Sequence, residues 1–321
     1  MDFKTLIGTN EEDKPRSKNT IQTYTYDFKN MIKHFYPNRD IDINDERNYK
    51  ILDMSFKHIM EKLEILTNKK RQKRILNIII VLKKTLGKTK ELKLFREQLK
   101  KINLDIQGIV EKNLKNDKQK KNWLDIKEYE GLLNRLDNDV KDIFKRVNIS
   151  PKDRNKIQEY IILSFYHKHH LRNDLAELKV LKFRDYEKLN KDEELKNNWL
   201  IIDGRARFII LNNYKTNKTF KKVKIVIDKE LARIIRKYLK LNTTGYLIIN
   251  QKGVPLSRNT FSVYVRRMFK KYTGKKVGTS LLRHIFISKK LPKLKSVEEK
   301  KELADKMLHS VTTQSLYEKI D

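Results

Sequence analysis

Trp199-Leu-Ile-Ile-Asp203, Phe208-Ile-Ile-Leu211 and Lys222-Val-Lys-Ile-Val-Ile227 decide the fold class, because the rest of the chain is patterned for helices. The first two runs are apolar and β-branched and are joined through Gly204; the third alternates with a period of two. Together they read as three strands of one small antiparallel sheet. Between the second and third lies a polar turn, Tyr214-Lys215-Thr216-Asn217-Lys218-Thr219. The expected class is therefore mainly α with a small antiparallel β-sheet, an α+β architecture.

Upstream of the sheet the periodicity is helical. Residues 1–16 are polar and read as a flexible tail. Ser17 or Asn19 is placed to cap a helix whose apolar face is Ile21, Tyr24, Phe28, Met31, Ile32 and Phe35, and Pro37 ends it. A second helix starts near Ser55, with Phe56, Ile59, Met60, Leu63 and Leu66 inward. A third, about 68–86, turns Ile75, Ile78, Ile79 and Leu82 inward, with Gly87 as its C-terminal cap. A fourth covers about 91–102. Residues 17–105 thus form a helical domain, 106–122 a Lys/Asn/Gln-rich linker, and 123–321 a second domain. That domain opens with helices at about 126–136 and 160–170. After the sheet come helices from Asp228 to about Leu241, from Ser257 or Asn259 to about Tyr272, over 281–291 and 298–308, and in the final segment.

Composition narrows the partner. The chain of 321 residues holds 74 Lys+Arg against 41 Asp+Glu, a formal net charge of +33. Such an excess repels itself in a folded chain and suits a polyanion, where neutralised phosphates release counterions. Binding is then expected to weaken steeply with salt. The absence of cysteine removes disulfides and thiolate metal sites. No apolar run is long enough to span a bilayer and the N-terminus does not have the order of a secretory signal, so an intracellular, DNA-associated protein is expected, with no membrane partner. Lys69-Lys70-Arg71-Gln72-Lys73-Arg74 opens the third helix. Cations there oppose the helix macrodipole, so the run is a candidate phosphate contact; a solvated face is the plain alternative.

The second domain carries a scattered set of polar groups. His170-Leu-Arg172-Asn-Asp174 precedes the sheet, with Glu177 close behind, and Lys215 lies in the strand turn. Leu281-Leu-Arg283-His284 follows, then His309 and, eight positions on, Tyr317. Singly, each has a bland reading: a packed aromatic, surface ion-pair partners, a lysine-rich turn. Their joint order resembles the active site of the tyrosine recombinases, the integrase family of site-specific DNA recombinases. The form Leu-Arg-Asn-Asp is similar to recombinases of large DNA viruses and mobile elements.

The resemblance implies a core-binding N-terminal domain and a C-terminal catalytic domain. It also implies DNA cleavage and rejoining through a 3′-phosphotyrosine. Arg172, at the start of a helix expected over 173–181, and Arg283 match the two family arginines, Lys215 the lysine of the turn, and His284 the histidine beside the second arginine. His309 matches the late histidine or tryptophan, and Tyr317 the nucleophile. The chemistry fits these types: a planar guanidinium holds phosphate oxygens bidentately, and an ammonium can protonate a leaving oxygen. No metal and no cofactor is implied. The partner is double-stranded DNA, with a homo-tetramer on two duplexes as the family's working form. Ser280 stands where relatives carry a histidine; serine can hydrogen-bond phosphate but carries no proton, which shifts weight to Lys215 and His309. The acid that buttresses Arg172 is open between Asp174 and Glu177. Relatives often continue beyond the tyrosine with a helix that docks on a neighbour, and here four residues follow Tyr317. Two other functions share these residues: type IB topoisomerase-like relaxation, and a DNA-binding accessory protein that has lost catalysis.

Overall fold

In a computed structural model, residues 3–9, 14–38, 42–85, 89–294 and 296–320 are described, and the chain divides into two units, Met1–Lys112 and Asn113–Asp321. The first unit is helical: α1 (Phe3–Leu6), α2 (Lys18–Phe35), α3 (Phe56–Glu64), α4 (Asn68–Thr85) and α5 (Thr89–Glu111), with a 3-10 segment at Glu46–Asp53. Ser17 caps α2 by accepting the N–H of Thr20, and Ser55 caps α3 by accepting that of His58. The expected inward residues Phe28, Ile32, Ile59, Leu63, Ile75, Ile78 and Leu82 form the buried core. Gly87 lies outside the described residues.

Two boundaries need correction. The segment taken as a loose tail contributes Phe3 and Ile7 to the core, and the Phe3 ring stacks on Phe28 at 4.0 Å. An apolar pair spaced four apart gave one short helical turn a face to bury. The unit boundary after Lys112 falls inside the expected linker, but α5 continues through 106–111 with Ile106 against the core.

The second unit begins with α6 (Asp117–Asn122), α7 (Ile126–Ile143) and α8 (Pro151–Lys168). Then come β1 (Lys179–Leu181), α9 (Phe183–Tyr186), α10 (Lys191–Lys196), β2 (Trp199–Asp203) and β3 (Ala206–Leu211). After them follow α11 (Asn217–Phe220), β4 (Val223–Val226), α12 (Lys229–Leu241) and α13 (Arg258–Thr273). Last come α14 (Thr279–Lys290), α15 (Val297–Lys306) and α16 (Val311–Ser315). The sheet order is β1-β2-β3-β4, with β2, β3 and β4 an antiparallel meander as expected. β1 was not expected: it pairs parallel to β2, Val180 opposite Leu200, and makes the sheet mixed. It replaces the helix expected after Arg172. There the chain instead turns, with Glu177 at φ +56°, a left-handed conformation that interrupts helix before β1. One face of the sheet joins the main core through Leu200, Ile209 and Leu211; the other packs Trp199, Ile201, Phe208 and Ile210 against Leu189 and Tyr186.

A candidate phosphate-binding site in the second unit

α14 is the base of the site. Its sequence, Thr-Ser-Leu-Leu-Arg-His-Ile-Phe-Ile-Ser, buries Leu282, Ile285 and Phe286, and the same burial carries Arg283 inside at 1 % exposure. A buried guanidinium must be fully hydrogen-bonded or it is costly. Arg283 donates to the His170 carbonyl and, at 3.1 Å, to the Met307 carbonyl. Its Nε has no partner among the described residues. Burial lowers its pKa to about 10; the Tyr317 phenol works upward against this and Arg172 works downward.

Tyr317 is gathered against this arginine. Arg283 Cζ lies 5.1 Å from the centre of its ring, a cation–π distance. The His309 ring stacks on the same phenol at 5.4 Å and 11°, and the His284 ring lies 4.7 Å away. His284 Nδ1 is 2.7 Å from the Tyr317 carbonyl, so it holds main chain rather than reaching outward. One turn further along α14, the Ser288 hydroxyl accepts the N–H of Lys319 at 2.7 Å. Beyond Tyr317, Ile320 bridges in parallel to Leu114. The phenol is thus clamped from both sides.

His309 is 2 % exposed. Burial, with the charges of Arg283 and Arg172, lowers its pKa to about 4, while a hydrogen bond to the Ser310 carbonyl acts upward. The imidazole is therefore neutral at pH 7. Its Nδ1 faces that carbonyl at 3.1 Å, and its Nε2 is buried with no partner among the described residues. Just before it, Leu308 is held at φ +55°. Its carbonyl accepts from Arg172 at 3.4 Å and from the Thr216 hydroxyl at 3.0 Å.

Five of the six candidates thus converge: Arg172, Arg283, His284, His309 and Tyr317. Lys215 is adjacent rather than within. Its side chain is exposed, but its neighbour Thr216 ties the strand connection to Leu308. That connection is not a tight turn; it runs from Asn212 to Lys222 and holds α11. Ser280 is exposed in the first turn of α14. Asp174 is buried at 4 % and within electrostatic reach of Arg258, Arg172 and Arg283, whereas Glu177 is exposed. Of the two acids, Asp174 is therefore the one near Arg172, and its carboxylate pairs with Arg258.

The histidine run before Arg172, at the end of α8, is only partly exposed. His170 is buried, stacks on Phe286 at 4.3 Å and lends its carbonyl to Arg283. His167 stacks instead on Tyr129, and Lys168 pairs with Asp228 at 2.9 Å. The carbonyls of Leu308 and His170 carry no sequence signal, because every residue type has one.

In the first unit, α4 corrects part of the basic run. Arg71 donates to the carbonyls of Leu63, Glu64 and Leu66 at the end of α3. Arg74 is buried, donates to the Asp27 carbonyl at 2.9 Å and lies 3.7 Å from its carboxylate. Both are tied to their own unit. Lys69, Lys70 and Lys73 line a recess with Tyr26, Asn30, Lys33 and His34, and Lys73 is 3.2 Å from Asp27.

A helical unit followed by a mainly α unit with a small mixed sheet is a fold found in solved site-specific recombinases. The fold is shared with the XerH site-specific recombinase bound to difH substrate in a pre-cleavage complex. That likeness has a TM-score of 0.55 at 16% identity over 94% of this chain and 76% of that one. It is shared also with XerH on a palindromic difH substrate in a post-cleavage complex, at 0.51 and 15% over 95% and 75%. No protein-family model matches the sequence, and no curated protein sequence matches it. Among the described residues no helix is long and apolar enough to cross a membrane.

Proposed function

We propose that this protein is a tyrosine recombinase that cleaves and rejoins double-stranded DNA at specific sites through a 3′-phosphotyrosine. The observation that carries the reading is the clamped phenol of Tyr317, in contact with the buried Arg283 and His309, each of which has a polar atom without a partner among the described residues. A phosphate would supply both atoms with a partner. It would also raise the His309 pKa, so that Nε2–H could donate to phosphate while Nδ1–H keeps the Ser310 carbonyl.

In the reaction, the Tyr317 phenol gives up its proton to solvent, and its oxygen forms a bond to phosphorus as the bond to the 5′ oxygen breaks. The electron pair departs with that oxygen, and the Lys215 ammonium protonates it. Arg172 and Arg283 hold the non-bridging oxygens, where charge accumulates. A 5′ hydroxyl then attacks the phosphotyrosine in the reverse sense, so bond energy is conserved and strands can be exchanged. DNA complexes of XerH support duplex DNA as the partner. A tetramer on two duplexes is part of the same proposal, as is phosphate contact by Lys69, Lys70 and Lys73 in the first unit.

The test uses a pool of random-sequence nicked duplexes, which trap cleavage because the short strand departs. The wild-type chain should form a denaturant-resistant protein–DNA adduct, and Tyr317→Phe should bind DNA equally and form none. Binding without any wild-type adduct would instead mean an accessory protein. Relaxation of plasmid lacking the trapped sites, without pairing of two duplexes, would mean a topoisomerase.

A further inference from the structure

Lys215 must deliver a proton to one oxygen, yet its side chain is exposed and its connection is long. The main chain around it is pinned. The Asn198 side chain accepts the N–H groups of Asn212 and Asn213 at 3.0 and 2.9 Å and donates back to the Asn213 carbonyl at 2.9 Å. Thr216 is fixed to Leu308 on the other side. The charged pin is Arg258, the first residue of α13. Its guanidinium donates to the same Asn213 carbonyl and lies 3.8 Å from the carboxylate of the buried Asp174. Asp174 stands two residues after Arg172. Between them, Asn173 donates to the Arg258 carbonyl at 3.1 Å and accepts from Thr279, the first residue of α14, at 2.7 Å. One arginine therefore joins the lysine connection, the turn of Arg172 and the helix of Arg283. The carboxylate end of this pair is buried, with the Asp174 side chain 5 % exposed, whereas the Arg258 side chain is 38 % exposed at the rim of the connection.

We infer that Arg258 is a positioning residue: by clamping Asn213 to Asp174 it sets the reach of Lys215 toward the leaving 5′ oxygen. The inference rests on the reading of Lys215 as the proton donor given above. Arg258 differs from Arg283, whose guanidinium lies against the Tyr317 ring, in pairing with a carboxylate.

Leaving-group chemistry tests this directly. A 5′-bridging sulfur departs as thiolate, since a thiol ionises near pKa 8.5 and needs no donated proton. Single-turnover cleavage by the full chain would be measured at saturating DNA, on nicked duplexes built on the trapped site with oxygen or sulfur as the leaving atom. Arg258→Ala should slow the oxygen substrate about 10- to 100-fold, the scale of a small misplacement. It should cleave the sulfur substrate near the wild-type rate, the signature also expected of Lys215→Ala. Arg258→Lys should fall between, and Asp174→Asn, which loosens the clamp from its other end, should show the same sulfur rescue. Equal slowing of Arg258→Ala on both substrates, with Lys215→Ala rescued, would overturn the inference while leaving the function intact. So would weaker DNA binding with an unchanged rate once bound. A Lys215→Ala variant that sulfur does not rescue would overturn the proton-donor reading and this inference with it.

Discussion

At the scale of the residue, the site is governed by what burial does to charge. Arg283 is retained inside because two main-chain carbonyls accept from it, and this leaves Nε over. Arg283→Lys keeps a positive charge but replaces a five-donor fork by a point charge. It cannot serve two carbonyls and a phosphate together. Single-turnover cleavage at saturating DNA should drop about 10²- to 10³-fold, the worth of one fixed donor to a developing oxyanion. DNA affinity, dominated by many other cations, should change little. Residue identity was the most legible level of the sequence: Arg172, Arg283, His284, His309 and Tyr317 were named from type and order, and the fold brings them together. The main-chain contributors were not legible. Nothing in Leu308 announces a left-handed backbone or a carbonyl shared by Arg172 and Thr216. Likewise His170 acts on Arg283 through its carbonyl, which every residue type has.

At the scale of the element, the patterns that carried were periodic and long. α2 and α4 bury the faces their spacing implies, and Ser17, Ser55 and Asp228 cap the helices expected to start at them. Short elements such as α1 and β1 are not legible, because three or four residues hold too little pattern. α1 is testable. Phe3 is fully buried against Phe28, so Phe3→Ala should destabilise the first unit by about 3–5 kcal/mol, the usual cost of deleting a buried aromatic ring. Urea unfolding followed by circular dichroism would register this as a lower midpoint with an unchanged slope. The basic start of α4 teaches the complementary lesson. Six neighbouring residues looked like one cationic patch, yet Arg71 closes the end of α3 and Arg74 meets the carboxylate of Asp27. Helical geometry distributes consecutive residues around the axis, so a charge run in sequence need not be a charge patch in space.

At the scale of the whole molecule, a charge of +33 sets the class of partner, while buried histidines set the response to acid. Burial lowers His309 to about 4 and His170 to about 3. Unfolded, both would take up a proton near pH 6.5, so below that pH the unfolded chain binds more protons and stability falls. The stabilising effect of keeping them neutral is complete above about pH 6.5. It is lost as pH falls toward 4, at up to about 1.4 kcal/mol per pH unit for each histidine. Asp174, whose burial raises its carboxyl, works in the opposite direction at the acid end. Unfolding midpoints of the full chain at pH 7 and pH 5 should show the loss, and His309→Asn should reduce it. Function has a more direct test. Trypsin cuts after Lys306 and Lys319, releasing the peptide Met307–Lys319, which holds Tyr317 as its one tyrosine. Mass spectrometry of the trapped wild-type adduct, digested with nuclease and trypsin, should find this peptide joined through Tyr317 to the 3′ phosphate of a nucleotide. Linkage at another residue, linkage to a 5′ phosphate, or an adduct that persists in Tyr317→Phe would contradict the account.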